Sequence, residues 1–387
     1  METCDFCNLS QRFGISFVTG VPDSLLKPLT ETFDALGNVR HVIAANEGNA
    51  VALAFGYHVA TGKIPLVYCQ NSGLGNMVNP LTSLVSRETH LAPMVLVIGW
   101  RGEPTTKDEP QHKGMGALTL PLLQYLDIPT LRLSSREDAN HLPHHLKLCA
   151  SSNRPVALVI SKGFFLEAPS KPSSTLISRS PERSLCRVNH VQELALDRMQ
   201  ALNILLKQLS GNEVVVCTTG FTSRDFLSVN EAMEEKFTKV FLNVGAMGHA
   251  SSVAAGLAAN GESVVCLDGD GAMLMHLGAL AVIAEDADID LLHVVFNNGM
   301  HESVGKHPTA AQSLSLCGIA DSCGYPQSAF AVTPDELVSQ FHALGGKGMR
   351  FLEVAITKSV LTQTSKRPST TPQQRLDLLK MRLRTKL

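Results

Sequence analysis

Aromatic side chains are scarce in this chain. They make up 5% of its 387 residues, with one Trp and four Tyr. The apolar content of 44% therefore rests on residues such as Ala, Val and Leu, which suits layered α/β packing. An excess charge of one sign is also lacking. The formal net charge is -2, so no nucleic-acid footprint is visible. No apolar run of 18 or more residues lacks charges, so no membrane span is expected. The opening stretch METCDFCNLSQRFGISF has no basic segment followed by an apolar core, and does not read as a secretion signal.

A disulfide framework has little support. The nine cysteines are an odd number, and Cys69, Cys217 and Cys266 fall in apolar, strand-like runs. Buried thiols in a reducing, cytoplasmic compartment are the expectation. Cys4 and Cys7 form a C-x-x-C, but zinc needs two more ligands, and Cys317 with Cys323 has the wrong spacing. Helix-face packing is the expected role of this pair.

What the chain does have is an alternation of short apolar runs and helical patterns. In the first half the runs are Ser16–Thr19, His41–Ala45, Pro65–Cys69, Met94–Gly99, Thr130–Leu133 and Pro155–Ser161. In the second they are Glu213–Cys217, Val240–Val244, Ser263–Leu267, Leu291–Phe296 and Phe351–Ile356. Runs so continuously apolar fit parallel strands covered on both faces. Between the halves, APSKPSSTLISRSPERS shifts to Pro, Ser and charge, the composition of a linker. The expected organisation is two doubly wound parallel-sheet domains, 1–167 and 193–361, a linker 168–192 and a basic tail 362–387. The tail holds seven Lys or Arg against one acid, Asp377. Residues 375–387 could form an amphipathic helix, though a solvated tail is the favoured expectation.

The stretch 263–304 carries the strongest chemistry. An apolar run ends in Asp268-Gly269-Asp270-Gly271, a helical pattern follows, and the next run ends in Asn297-Asn298-Gly299. Twenty-five residues separate Gly271 from Asn297, the length of a helix plus the next strand of a βαβ unit. Asp270 and Asn298 are thus expected at the C-terminal ends of neighbouring strands, where ligands bind in open α/β sheets. A magnesium diphosphate needs hard oxygen ligands: here the Asp270 carboxylate, the Asn298 amide oxygen and the Met300 carbonyl. Gly269 and Gly271 permit close backbone approach, and a helix beginning near Ala272 would offer amide groups. Taken alone, an Asp between glycines is often only a turn. The spacing to the double Asn strengthens the site.

G-D-G followed by N-N at this spacing resembles the thiamine-diphosphate (ThDP) binding motif of the decarboxylase and synthase superfamily. The resemblance implies two further elements. One is a Glu that hydrogen-bonds the aminopyrimidine. Glu47, in Asn46-Glu47-Gly48 before a helix of small residues, takes that place, with apolar surroundings and a raised pKa expected. Helix N-terminal charge complementarity is the plainer account of an isolated Glu there. The other is a segment that bends the cofactor. In NVGAMGH (243–249) the resemblance gives the Gly245 carbonyl to the 4′-amino group and the Met247 side chain to the wedge beneath the bend.

TGVPDSLL (19–26), AANEGNAVALAFGYHVATG (44–62), YCQNSGLGNMVNPL (68–81), IGWRGEPTTKDEPQH (98–112), GAMGHASS (245–252), FNNGMHESVG (296–305) and RPSTTP (367–372) resemble the phosphonopyruvate and sulfopyruvate decarboxylases of that superfamily. This implies a ThDP- and magnesium-dependent decarboxylase, for phosphonopyruvate first and sulfopyruvate as its nearest rival. A non-catalytic regulatory protein of the same fold is the alternative from another class, and retention of Glu47, Asp270 and Asn298 argues against it.

The resemblance also implies roles near the substrate. Asp23 is a proton donor or orienter, or else a helix N-cap, and His112 is a second acid–base candidate. For the phosphonate, Arg101 offers a planar fork suited to a tetrahedral oxyanion; Lys113, His301, Lys306 and Arg367 are lesser candidates. In the family one cofactor lies between domains of two subunits, so Glu47 and Asp270 would come from different chains of a homodimer or larger oligomer.

Overall fold

The computed structural model describes residues 1–166, 196–286, 288–304, 306–357 and 368–385. The expected linker 168–192 and Arg367 lie outside them. Its contacts divide the chain into two units, Met1–Ser180 and Pro181–Leu387.

The first unit runs α1 (Thr3–Arg12), β1 (Phe17–Gly20), α2 (Lys27–Ala35), β2 (Arg40–Ile43), α3 (Glu47–Thr61), β3 (Leu66–Gln70), α4 (Leu74–Ser83), β4 (Val95–Gly99), α5 (Lys113–Tyr125), β5 (Thr130–Leu133), α6 (Leu142–Ser152) and β6 (Val156–Ile160). Its sheet has the order β2-β1-β3-β4-β6-β5, all parallel. The continuously apolar runs explain this arrangement: β3, β4 and β6 are buried nearly throughout, as a sheet covered on both faces requires.

The second unit runs α7 (Arg198–Gln208), β7 (Val214–Cys217), α8 (Phe221–Ala232), β8 (Val240–Leu242), α9 (Ala250–Ala258), β9 (Ser263–Gly269), α10 (Asp270–Met275), α11 (Gly278–Glu285), β10 (Asp290–Asn297), a small hairpin of β11 (Met300–His301) and β12 (His307–Pro308), then α12 (Leu316–Cys323), β13 (Gln327–Ala331), α13 (Pro334–Ala343), β14 (Met349–Ala355) and α14 (Pro372–Arg384). Its main sheet has the order β13-β14-β10-β9-β7-β8, again all parallel. Read from the other edge, this is the order of the first sheet, with β7, β8, β9, β10, β13 and β14 in the places of β1 to β6. The two domains share one topology.

That shared topology has a consequence for function. α3 follows β2 and α9 follows β8, the equivalent edge strands. Both helices are rich in Ala and Gly and buried on all sides, as a helix apolar all round must be. The turn that holds Glu47 in one domain therefore occupies the same place as the turn that holds Gly245 and Met247 in the other.

β13 has no counterpart among the apolar runs of the sequence. Its residues QSAFA are exposed or half-buried at three of five positions, as befits an edge strand. The basic C-terminal segment is not a solvated tail. Thr371 caps α14 by a capping box with Gln374, and Leu376, Leu379 and Leu383 bury one face of the helix. That face packs against β8. Among the described residues seven cysteines are free, five of them buried. In α1, Cys7 points into the core and Cys4 to solvent, and burial pushes the Cys7 thiol up to about 12. No helix among the described residues is long and apolar enough to cross a membrane.

Candidate active site

β9 and β10 are adjacent and parallel, with Phe296 opposite Gly269. Asp270 opens α10 directly after β9, and Asn298 follows β10 directly. The two side chains therefore emerge beside each other at the C-terminal edge of the sheet. The loop after β7 and the start of α8, Thr218 to Thr222, complete a cleft with them. This cleft collects Met247, Gly269, Asp270, Gly271, Ala272, Asn298, Met300 and His301, all selected from the sequence. Gly245 is not among its lining residues, but belongs to the turn that presents Met247.

Asp270 is 3% exposed and accepts a hydrogen bond from the Thr309 hydroxyl. Burial raises its pKa, partly opposed by that hydrogen bond. The Asn298 side chain accepts from the Met300 N–H through Oδ1 at 3.1 Å, and donates through Nδ2 to Glu302 Oε2 at 3.2 Å. Glu302 is ion-paired with Arg198, which also meets Asp225 at 3.0 Å. Thr218, Arg198 and Glu302 line the cleft, and none of them was selected from the sequence.

These residues fit a diphosphate carrying a divalent cation. A carboxylate and an amide oxygen in one corner are a hard donor set. A Cβ on Gly269 would meet nothing within 4 Å, and on Gly220 nothing nearer than Ser303 at 3.6 Å, so both backbones stand open to a ligand. Gly271 is different: a Cβ there would lie 2.5 Å from the His301 ring. The Thr218 hydroxyl is buried in the cleft wall without a hydrogen-bond partner among the described residues. α10 is only six residues long, so the expected contribution of a helix N-terminus is small.

The turn of Gly245 to Met247 is tight. Ala246 has φ 48° and Gly248 φ 88°. His249 steadies it, with Nδ1 at 3.1 Å from the Ala246 carbonyl and 3.3 Å from that of Met247. Burial, helped by His276 beside it, lowers the His249 pKa to about 4. The ring is neutral near pH 7, and Nδ1–H is the donor to these carbonyls.

In the first domain the selected residues sit at the C-terminal ends of β2, β1 and β4: Glu47 after β2, Asp23 after β1, Arg101 after β4. Asn46 caps α3 by accepting from Gly48 N–H at 2.8 Å, which places Glu47 at the first helical position. Its surroundings differ from the apolar ones expected: Glu47 is half-buried and accepts from Asn76 Nδ2 at 2.7 Å. A Cβ on Gly73 would stand 2.3 Å from Glu47 Oε1, so only glycine leaves the carboxylate its space.

Asp23 is 6% exposed. Burial raises its pKa, opposed by the Leu25 N–H at 3.0 Å and by Arg101. It is not a helix N-cap; α2 starts at Lys27, with Leu26 before it. Its Oδ1 is buried without a hydrogen-bond partner among the described residues. Glu47 and Asp23 both act electrostatically on the buried Cys69 thiol, whose pKa rises chiefly through burial.

Arg101 spends its fork on Asp108, through Nε at 2.8 Å and Nη2 at 2.6 Å, while Nη1 reaches Ser24 at 3.2 Å. That pair holds the Asp108 carboxyl well below its usual range. Asn71, fully buried, ties this loop to β3 by donating to the Arg101 carbonyl and accepting from its N–H. His112 is half-buried on a short 3-10 turn, with its carbonyl against Gly102. Lys113 and Lys306 are exposed, and Lys306 is not among the residues lining the cleft.

Two family models match the chain. They are described as thiamine pyrophosphate enzyme, N-terminal TPP binding domain, over residues 8–119, and C-terminal TPP binding domain, over residues 218–354. A phosphonopyruvate decarboxylase of Streptomyces viridochromogenes is 33% identical, over 93% of this chain and 89% of its own length. One from Streptomyces hygroscopicus is 36% identical, over 81% and 76%. A sulfopyruvate decarboxylase of Methanosarcina acetivorans is 26% identical, over 89% and 87%. Among solved structures, the benzoylformate decarboxylase of Polynucleobacter necessarius superposes with a TM-score of 0.73 at 14% identity, over 94% of this chain and 100% of that one. This last likeness is one of fold.

Proposed function

The chain belongs to the thiamine pyrophosphate enzymes, among their decarboxylases, and from that premise we propose that it converts 3-phosphonopyruvate to 2-phosphonoacetaldehyde and CO2, using ThDP and Mg2+. The observation that carries the cofactor reading is that Asp270 and Asn298, at the C-terminal ends of the neighbouring strands β9 and β10, line one cleft. The choice of substrate rests on likeness to the two Streptomyces relatives.

In this reading Asp270, Asn298 and the Met300 carbonyl hold the cation, and Gly269, Gly271 and Ala272 bring backbone against the diphosphate. Gly245 and Met247 would support the bound cofactor from the turn before α9. When bound, ThDP supplies the electron sink that lets the carboxylate leave as CO2. The protein supplies proton positions. Glu47, oriented by Asn76, holds the proton exchanged with the aminopyrimidine. Asp23 has one oxygen fixed by the Leu25 N–H, and burial favours its protonated form. It is the proton donor to the carbon that has lost CO2, with His112 as the second acid–base group.

Arg101, Lys113 and His301 are the groups for the phosphonate. Because Asp108 already occupies the Nε and Nη2 edge of the Arg101 fork, Nη1 beside Ser24 is the group a substrate oxygen would share. The chain acts as a homodimer or larger assembly in the cytoplasm, with Glu47 and Asp270 serving one cofactor from different copies. Its product keeps the carbon–phosphorus bond, in keeping with a step of phosphonate biosynthesis.

Sulfopyruvate is the second reading, favoured by the likeness to the Methanosarcina protein. Aldehyde release from both substrates, assayed with ThDP and Mg2+, tests the proposal. Phosphonopyruvate should give the higher kcat/KM. Faster turnover of sulfopyruvate overturns the substrate, and turnover of neither overturns the function.

A further inference from the structure

We propose that Glu302 is a positioning residue for the cation site, fixing which end of the Asn298 carboxamide faces the metal, and that Arg198 holds Glu302 in place. The inference rests on the reading that this corner takes a divalent cation.

An Asn side chain has two ends of nearly the same shape, and only the oxygen can ligate a cation. Both contacts of Asn298 demand one orientation. Its Oδ1 accepts from the Met300 N–H at 3.1 Å, a contact that needs an oxygen. Its Nδ2 meets Glu302 Oε2 at 3.2 Å, and a carboxylate can only accept. Turning the amide over would set oxygen against carboxylate and NH2 against N–H, losing both bonds. With Glu302 in place, Oδ1 is fixed on the Met300 side and its second lone pair is left for the cation.

Glu302 is itself anchored. Arg198, 104 positions earlier in the sequence, pairs with it and with Asp225 Oδ2, tying the loop after β10 to α7 and α8. The Arg198 side chain is 11% exposed and that of Glu302 6%, so water screens this pair little. Both residues line the same cleft as Asp270. Partners that orient a metal ligand typically change metal affinity by about 10- to 100-fold when lost.

The test uses Mn2+ as a spectroscopic stand-in for Mg2+, with ThDP present, and titrates binding to the full chain by the loss of the free-ion EPR signal. Glu302→Met, which is close in length and offers no acceptor to the Asn298 amide, should weaken Mn2+ by about tenfold. At saturating metal its kcat should return towards that of the native chain. In an Asn298→Asp background both ends of residue 298 are oxygens, so adding Glu302→Met should not weaken Mn2+ binding. An equal loss in both backgrounds overturns the orienting role, and so does no loss in the native background. If Glu302→Met does not fold, Glu302→Asp reads the same contact: it keeps the charge but withdraws the carboxylate by one methylene. Weaker Mn2+ binding supports the contact, and native affinity overturns it. A native chain that binds no Mn2+ with ThDP overturns the cation site itself, which is distinct from a native chain that binds and a variant that binds equally well.

Discussion

Gly99 and Asp23 are fitted to each other: a Cβ on Gly99 would stand 2.0 Å from Asp23 Oδ2. Gly99 ends β4 and has no positive φ, so alanine is compatible with its backbone. Gly99→Ala should therefore keep the sheet and displace the carboxylate. If Asp23 is the proton donor, kcat should fall by about 100-fold or more, while ThDP and metal still bind. A kcat within a few-fold of native would remove Asp23 from that role.

Glu47 and Asn76 form the second pair to test. Glu47→Gln keeps the volume and leaves an oxygen for the Asn76 amide at 2.7 Å, so ThDP should still bind. Activity should drop by about 100- to 10,000-fold, the range for a lost acid–base group. Gly73→Ala should reproduce part of the loss, because its Cβ would stand 2.3 Å from Glu47 Oε1. Unchanged turnover in Glu47→Gln would show that this carboxyl does not activate the cofactor.

The strand-end positions of Asp270, Asn298 and Glu47 were legible in the sequence because each follows a continuously apolar run and is flanked by glycine or asparagine, which mark where a buried strand ends. Their supports were not. Thr309 lies 39 positions from Asp270, Arg198 104 from Glu302, and Asn76 29 from Glu47. Apolar periodicity places Asn76 on α4 and Arg198 on α7, but it does not say what a polar side chain faces, and only the folded topology brings these residues near their partners. The apolar setting expected for Glu47 fails for the same reason, since Asn76 arrives on α4. β13 was missed because an edge strand need not be continuously apolar. The basic C-terminal segment misled by composition. Its Leu376, Leu379 and Leu383 stand at helical spacing, and the charges lie around them.

That last correction is measurable. Leu379 is 1% exposed on α14, whereas Met381 is 58% exposed. Leu379→Ala should cost about 2–5 kcal/mol in urea unfolding, as buried Leu truncations do. Met381→Ala should change stability by about 0.5 kcal/mol or less. Equal effects of the two would mean that the helix does not dock as described.

Asp23 also sets a pH dependence. Burial is the main cause of its raised pKa in the fold, while the unfolded chain titrates in the ordinary carboxylate range. The folded state therefore binds the proton more tightly. Stability from this group is fully present below the ordinary range and is lost as pH rises through the raised value. Asp23→Asn carries no ionisation and cannot lose it. Relative to the native chain, the variant should gain stability as pH is raised above the ordinary carboxylate range. Native kcat/KM should decline over the interval in which Asp23 ionises, because the donor is then empty. Unfolding free energies of the two chains over that rise decide the point: a difference that stays flat with pH means that Asp23 does not titrate with a raised pKa.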